Sequence, residues 1–311
     1  MIRIGTRGSQ LALWQAHHIA DRLRSLGHEV TIEVIRTTGD RLQEVTFAEV
    51  GTKGMFTLEI EQALAEGRID LAVHSLKDLP TTLPDGFTLA ATPPRVDPRD
   101  VLVSVSYASL NDLPAAARIG TSSLRRRSQL LAQRPDLQTI EFRGNVDTRL
   151  RKLAEGQVDA ILLAAAGLDR LEKTEWLRER LAPEVLCPAA GQGALGIEAR
   201  IDDEATLLAL APLDDPATRF AVTAERATLA ALGGGCQVPV GVHCRPLNAN
   251  GWQILAVVAH PSGRPLLRAE STLDDPIADP LKLGRAVADE LLANGAFDLL
   301  AHVASSGVAR P

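Results

Sequence analysis

Arg3-Ile4-Gly5-Thr6 recurs as Arg118-Ile119-Gly120-Thr121, and each string closes a short apolar strand and opens a helix. A second pair follows in the same order and setting. Glu66-Gly67-Arg68-Ile69-Asp70 and Glu155-Gly156-Gln157-Val158-Asp159 each lie between a helix and an apolar strand. One short match arises easily by chance, but two in the same order and context mark an internal duplication. The chain therefore reads as two similar α/β units side by side, the second spanning residues 99–187.

Outward from the first string, Ile2–Gly5 reads as a buried strand. Ala12, Ala16, Ile19, Ala20, Leu23 and Leu26 then recur at helical spacing. Gly27 suits the residue just past that helix, and Val30, Ile32 and Val34 alternate as a strand. Residues 40–57, with Gly51-Thr52-Lys53-Gly54, read either as a flexible lid or as a plain surface loop. Phe56–Glu66 is expected to be helical and Leu71-Ala72-Val73 a buried strand. At that strand's end stands His74-Ser75-Leu76-Lys77-Asp78-Leu79-Pro80. Ends of parallel strands are where α/β folds place ligands.

Pro93, Pro94 and Pro98 punctuate the exit from the first unit, and Pro188-Ala189-Ala190-Gly191-Gln192-Gly193 the exit from the second. Two crossings predict a hinged pair with a cleft. Beyond Pro216 the pattern changes to a helix up to Leu232, strands over Val238–Cys244, Trp252–Ala259 and Leu266–Thr272, and a helix near Ile277–Ala293. That is a small α+β domain over residues 216–311.

Composition narrows the function. The 311 residues are 45% hydrophobic but only 3% aromatic, so Leu, Val, Ile and Ala must fill the core. A formal net charge of −6 argues against a general nucleic-acid binder. The longest apolar run, Ala160–Leu168, is about half the ~20 residues of a spanning helix. Met1-Ile2-Arg3-Ile4-Gly5 runs straight into a strand, without the pattern of a signal peptide. Cys187, Cys236 and Cys244 make no disulfide framework, and no Cys/His cluster has zinc spacing. A cytoplasmic protein without metal is expected, as a monomer with no nucleic-acid or membrane partner.

Three features could carry chemistry. In Gly233-Gly234-Gly235-Cys236-Gln237-Val238-Pro239 the glycines uncrowd the sulfur of Cys236. It reads as an accessible nucleophile or as a small buried apolar residue. The second feature is arginine. Thr121-Ser122-Ser123-Leu124-Arg125-Arg126-Arg127 opens a helix behind a hydroxyl cap. Cations in a first helical turn cost about 0.3–1 kcal/mol each, so these residues need an anion among them or a solvated face. Arg143-Gly144-Asn145-Val146-Asp147-Thr148-Arg149 repeats the arrangement. Arg7 occupies the matching turn of the first unit, and Arg170 follows the strand Ala160–Ala164. Arginine forks suit carboxylates and phosphates, so a cleft lined by them would bind a polyanion. The third feature is Asp78, a carboxylate beside Lys77. It reads as a helix cap or ion pair, or as a group facing a cationic transition state.

Together these motifs resemble the porphobilinogen deaminase (hydroxymethylbilane synthase) family over essentially the whole chain. The resemblance rests on Arg7 with Ser9 and Leu11-Ala12-Leu13-Trp14-Gln15-Ala16, on His74–Asp78, and on Gly120–Arg126. It continues through Arg143–Val146 with Thr148-Arg149, Gly191-Gln192-Gly193 and Gly234-Gly235-Cys236. It implies an α/β pair like the type II periplasmic binding proteins. Domain 1 would comprise 1–93 with a return over 194–211, domain 2 residues 99–187, and domain 3 residues 216–311. It implies head-to-tail condensation of four porphobilinogen molecules into hydroxymethylbilane for haem biosynthesis, with loss of ammonia. The primer would be a dipyrromethane cofactor in thioether linkage to Cys236. Asp78 would be catalytic; Ser75, Lys77, Thr121, Ser123, Arg125, Arg126 and Arg149 would hold the cofactor, and Arg7, Ser9, Arg143 and Arg170 the substrate.

The residue chemistry fits that implication. Loss of ammonia from the aminomethyl group leaves an electron-poor azafulvene with positive charge on the pyrrole nitrogen. A carboxylate about 4 Å away stabilises that charge by roughly 4 kcal/mol at an effective dielectric near 20. Asp78 can do so and the arginines cannot, while the thiolate of Cys236 is a soft nucleophile for the same species. Relatives often carry a second lysine after the Gly-Lys-Gly turn; here Phe56, Thr57 and Leu58 follow Lys53, and Arg127 has no matching role. A non-catalytic, hinge-closing anion-binding protein is the alternative, leaving Cys236 and the third domain unexplained.

Overall fold

The structure is a computed structural model and describes residues 1–37, 57–234, 238–247, 251–274 and 279–305. The 40–57 stretch read as a lid lies, up to residue 56, outside the described residues, as does Cys236 itself. The chain divides into two compact units, Met1–Val96 with Gly193–Arg219, and Asp97–Gln192 with Phe220–Pro311.

In chain order the first segment holds β1 (Ile2–Thr6), α1 (Gln10–Ser25), β2 (Val30–Val34), α2 (Leu58–Ala65), β3 (Leu71–Ser75) and β4 (Phe87–Ala91). The second holds β5 (Asp100–Val103), β6 (Arg118–Gly120), α3 (Leu124–Gln133), β7 (Gln138–Ile140), α4 (Val146–Ala154), β8 (Ala160–Ala164), α5 (Ala165–Arg170) and β9 (Leu177–Arg180). After β10 (Leu195–Arg200), α6 (Glu204–Leu210) and α7 (Pro216–Ala231) come the strands β11 (Val240–Pro246), β12 (Gly251–Ala259) and β13 (Leu266–Asp274). Helices α8 (Pro280–Ala293) and α9 (Ala296–Ser305) follow.

Two five-stranded sheets have the same plan. The first runs β2-β1-β3-β10-β4 and the second β7-β6-β8-β5-β9. In each, the first three strands are parallel and the fourth is antiparallel, and that fourth strand begins just after the chain crosses from the other sheet's segment. The recurring strings explain themselves here. The Arg3 guanidinium donates to Asp70 at 2.6 Å and its backbone N–H at 2.7 Å. Arg118 donates to Asp159 at 2.9 and 2.7 Å in the same way. Each pair ties the second strand in its sheet order, β1 or β6, to the entry of the third, β3 or β8. Gly5 and Gly120 recur for steric reasons: a Cβ would lie 2.3 Å from Ile69 Cδ1 and 2.7 Å from the Phe142 ring.

Local signals account for the boundaries. Ser9 caps α1, and Gly27 adopts φ +88° just beyond Leu26. Asp279 caps α8 by accepting the Leu281 N–H at 2.9 Å, with Pro280 preset as the first helical residue, so the helix starts later than Ile277. Sequence reading missed α9, although Ala296, Leu299 and Val303 form its buried stripe after Gly295.

The antiparallel sheet β11-β12-β13 packs its buried face with α7, α8 and α9 around Val242, Ile254, Ala256, Val287 and Leu291. Within the same compact unit it touches the second α/β segment closely. A Cβ on Gly241 would lie 2.6 Å from the Cys187 carbonyl, and one on Gly263 2.5 Å from the Leu131 backbone in α3. The helix bearing Arg125 and Arg126 and the sheet that follows the cysteine loop are thus packed together.

Candidate active site

In the first unit, β1 and β3 are parallel neighbours with Gly5 opposite Ala72, so Arg7 and His74–Asp78 emerge at the same sheet end. Ser75 ends β3, and Leu76–Asp78 form one 3₁₀ turn closed by the Leu79 N–H onto the Leu76 carbonyl at 3.1 Å. Lys77 is half-buried and Asp78 exposed on that turn. Gln15 of α1 donates to Ser75 Oγ at 2.8 Å, using the hydroxyl as acceptor and leaving its O–H to donate. Ser9 is the cap of α1, its Oγ accepting the Ala12 N–H at 3.3 Å. Beneath the turn, buried His74 Nε2 lies 3.0 Å from buried Glu198 Oε2 on β10, pinning the end of β3 sideways.

In the second unit, β7, β6 and β8 are parallel neighbours, and their C-terminal ends carry Arg143, Thr121 with Ser123, and α5 with Arg170. Thr121 Oγ1 accepts the Ser123 N–H at 3.2 Å, and Ser123 Oγ accepts the Arg126 N–H at 3.4 Å as the cap of α3. Gly144 adopts φ +122° and Asn145 caps α4, on which Arg149 sits half-buried in the first turns. Arg143 pairs with Glu141 at 2.6 Å. Arg170 ends α5, buried; burial lowers its pKa to about 10, so it stays cationic at neutral pH.

The anion that the basic helix start called for is present. Arg125 and Arg126, 5% and 6% exposed, both bind the fully buried Asp100 at the head of β5. Arg125 Nη1 donates to Asp100 Oδ2 at 2.6 Å and to the Cys187 carbonyl at 2.7 Å. Arg126 donates from Nε and Nη2 to Asp100 Oδ1 at 2.9 and 2.7 Å, and from Nη1 to the Leu162 carbonyl at 3.1 Å. Burial alone would push the Asp100 carboxyl up, but the two guanidiniums hold it far below its ordinary value. Gln192 Nε2 adds bonds to Asp100 Oδ1 at 3.1 Å and to the Pro98 carbonyl at 2.7 Å. Sequence reading missed Asp100 and the side-chain role of Gln192. A carboxylate heading the apolar run Asp100-Val101-Leu102-Val103 was the available signal, because a buried charge needs a partner.

Cys187 and Cys244 are both buried, and burial pushes the Cys187 thiol up, so that thiol stays protonated and inert. Among the described residues no group of three or more His, Cys, Asp or Glu could hold a metal, and no helix is long and apolar enough to cross a membrane.

Fold and site thus define an α/β protein with basic groups and hydroxyls presented at strand ends and a single exposed carboxylate on the 3₁₀ turn after β3. Residues 2–208 match the family model for the dipyrromethane cofactor-binding domain of porphobilinogen deaminase, and residues 219–293 match its C-terminal domain. The chain is 50% identical over 303 residues to a porphobilinogen deaminase of Brevibacillus brevis, covering 97% of both chains. It is 53% identical over 300 residues to that of a Roseiflexus species, covering 96% of this chain and 98% of the relative. A periplasmic substrate-binding protein of a Coxiella burnetii ABC transporter is also similar, with a TM-score of 0.43 and 16% identity over 70% of this chain and 94% of its own. The chain belongs to the porphobilinogen deaminase family, which favours the enzyme over the anion-binding alternative.

Proposed function

We propose that this chain condenses four porphobilinogen molecules head to tail into hydroxymethylbilane, with Asp78 as the carboxylate that stabilises the departing-ammonia transition state. The observation that carries the assignment is the exposed Asp78 on a strand-end turn, beside Lys77 and level with Arg7. Positive charge grows on the substrate's pyrrole nitrogen as its C–N bond breaks, and an ionised carboxylate is the group that lowers the cost of that charge.

The residues fit a dipyrromethane. Each pyrrole carries two carboxylates, and the second unit offers hydroxyls and a helix start at Thr121 and Ser123 with Arg125, Arg126 and Arg149. Cys236 would be the attachment residue, a reading that the burial of Cys187 and Cys244 supports. When bound, the cofactor supplies the nucleophilic pyrrole carbon to which substrate is added. Ser75 and Lys77 would also hold it, and Arg7, Ser9, Arg143 and Arg170 would receive the substrate's acid groups. Three sheets support domains over 1–93 with 194–211, 99–187 and 216–311. We place the protein in the cytoplasm as a monomer.

Incubation with porphobilinogen tests the reading. One ammonium ion should appear per porphobilinogen consumed, together with a linear tetrapyrrole that cyclises in acid. Binding of porphobilinogen without ammonium release would support the anion-binding alternative instead.

A further inference from the structure

We infer that Asp100 is a positioning residue for cofactor loading: its buried carboxylate draws the Arg125 and Arg126 guanidiniums together so that they can receive a ligand carboxylate. The inference rests on the reading above that these arginines hold the cofactor. Consecutive side chains on an α-helix diverge by about 100°, so α3 does not itself bring the two forks together. Their convergence is imposed from β5, where each oxygen of one carboxylate takes a different arginine, at 2.6 Å and at 2.7–2.9 Å. Two buried cations against one anion leave a net positive charge of one, which suits an incoming carboxylate. Without Asp100 the like charges repel in a desolvated site and the forks separate. The Gln192 amide, bonded to Asp100 Oδ1 and to the Pro98 carbonyl, fixes the carboxylate in turn.

The test compares cofactor-free parent, Asp100→Asn, Asp100→Glu and Arg126→Leu, each incubated with porphobilinogen. The readouts are the intact mass of the folded protein and its melting temperature, not turnover. Asp100→Asn should leave at least ten times less of the folded chain carrying the dipyrromethane mass, with Asp100→Glu between it and the parent. A merely structural role would lower the melting temperature of both variants while their folded fractions load fully, and that result overturns the inference. So does failure of both variants to fold, which would make Asp100 a residue of stability alone. If Arg126→Leu loads fully, the cofactor-site reading itself fails. If Arg126→Leu stays unloaded while Asp100→Asn loads, only the positioning role is lost.

Discussion

On the proposed reading, Asp78 and Cys236 decide the chemistry. Asp78→Asn is nearly isosteric but offers no full negative charge, so turnover should fall by at least 10²-fold, about 3 kcal/mol of transition-state stabilisation. Because Asp78 is exposed, the melting temperature should hardly move; near-normal turnover would reduce it to a structural role. Purified protein should exceed its sequence mass by one dipyrromethane, with the excess on the Cys236 peptide. Cys187 and Cys244 are buried, and their peptides should carry none. An unmodified Cys236 peptide from active protein would refute the attachment.

At the scale of elements, arginines with equal charge have different supports. Arg126 is buried in α3, and Arg149 sits in the first turns of α4, both in the unit that also contains β11, the strand following the cysteine loop. Arg7 follows β1 in the other unit. Arg126→Leu or Arg149→Leu should therefore yield mostly cofactor-free protein with an unmodified thiol. Arg7→Leu should keep the cofactor and stall during elongation. Lysine lacks the bidentate fork, so Arg→Lys at these positions should also weaken binding. Mass spectra before and after porphobilinogen is added distinguish the outcomes, and the reverse pattern would overturn the assignment.

Across the whole molecule, Asp70, Asp97, Asp100, Asp159 and Asp203 are all held below the ordinary carboxyl value by arginine or backbone partners that outweigh burial. A carboxyl with a depressed folded pKa contributes stability that is complete above its unfolded value, near 3.9, and is lost as pH falls through the folded value. For these groups the urea midpoint should be flat from pH 8 to 5 and drop below about pH 4. Asp100→Asn should cost about 3–5 kcal/mol at pH 7, the usual cost of breaking a buried pair, and should flatten part of the acid decline. Glu61 has the opposite sign, since burial raises its pKa. Its contribution falls as pH rises through the ordinary carboxyl range, so Glu61→Gln should raise the midpoint at pH 7. An acid decline unchanged in Asp100→Asn would show that the arginine cluster does not govern it.

Patterns along the chain determined the elements and the duplication. Glycine at Gly27, hydroxyl caps at Ser9 and Ser123, and alternation in β2 are local signals, each acting within a few residues. The two recurring strings were legible because each sheet needs the same arginine–aspartate pair and the same glycine against a side chain. The placing of Asp78 and the arginines was legible for another reason: strand ends can be counted from sequence, whereas their roles were implied by the family resemblance. Only the tertiary structure decided that Asp100, 25 positions before Arg125 in the chain, is the anion among the arginines. It likewise decided that Cys187 is buried out of reaction and that α3 packs against the sheet after the cysteine loop. A buried charge is defined by what surrounds it, and the pairing of an antiparallel β5 with β8 brings those surroundings from distant parts of the chain.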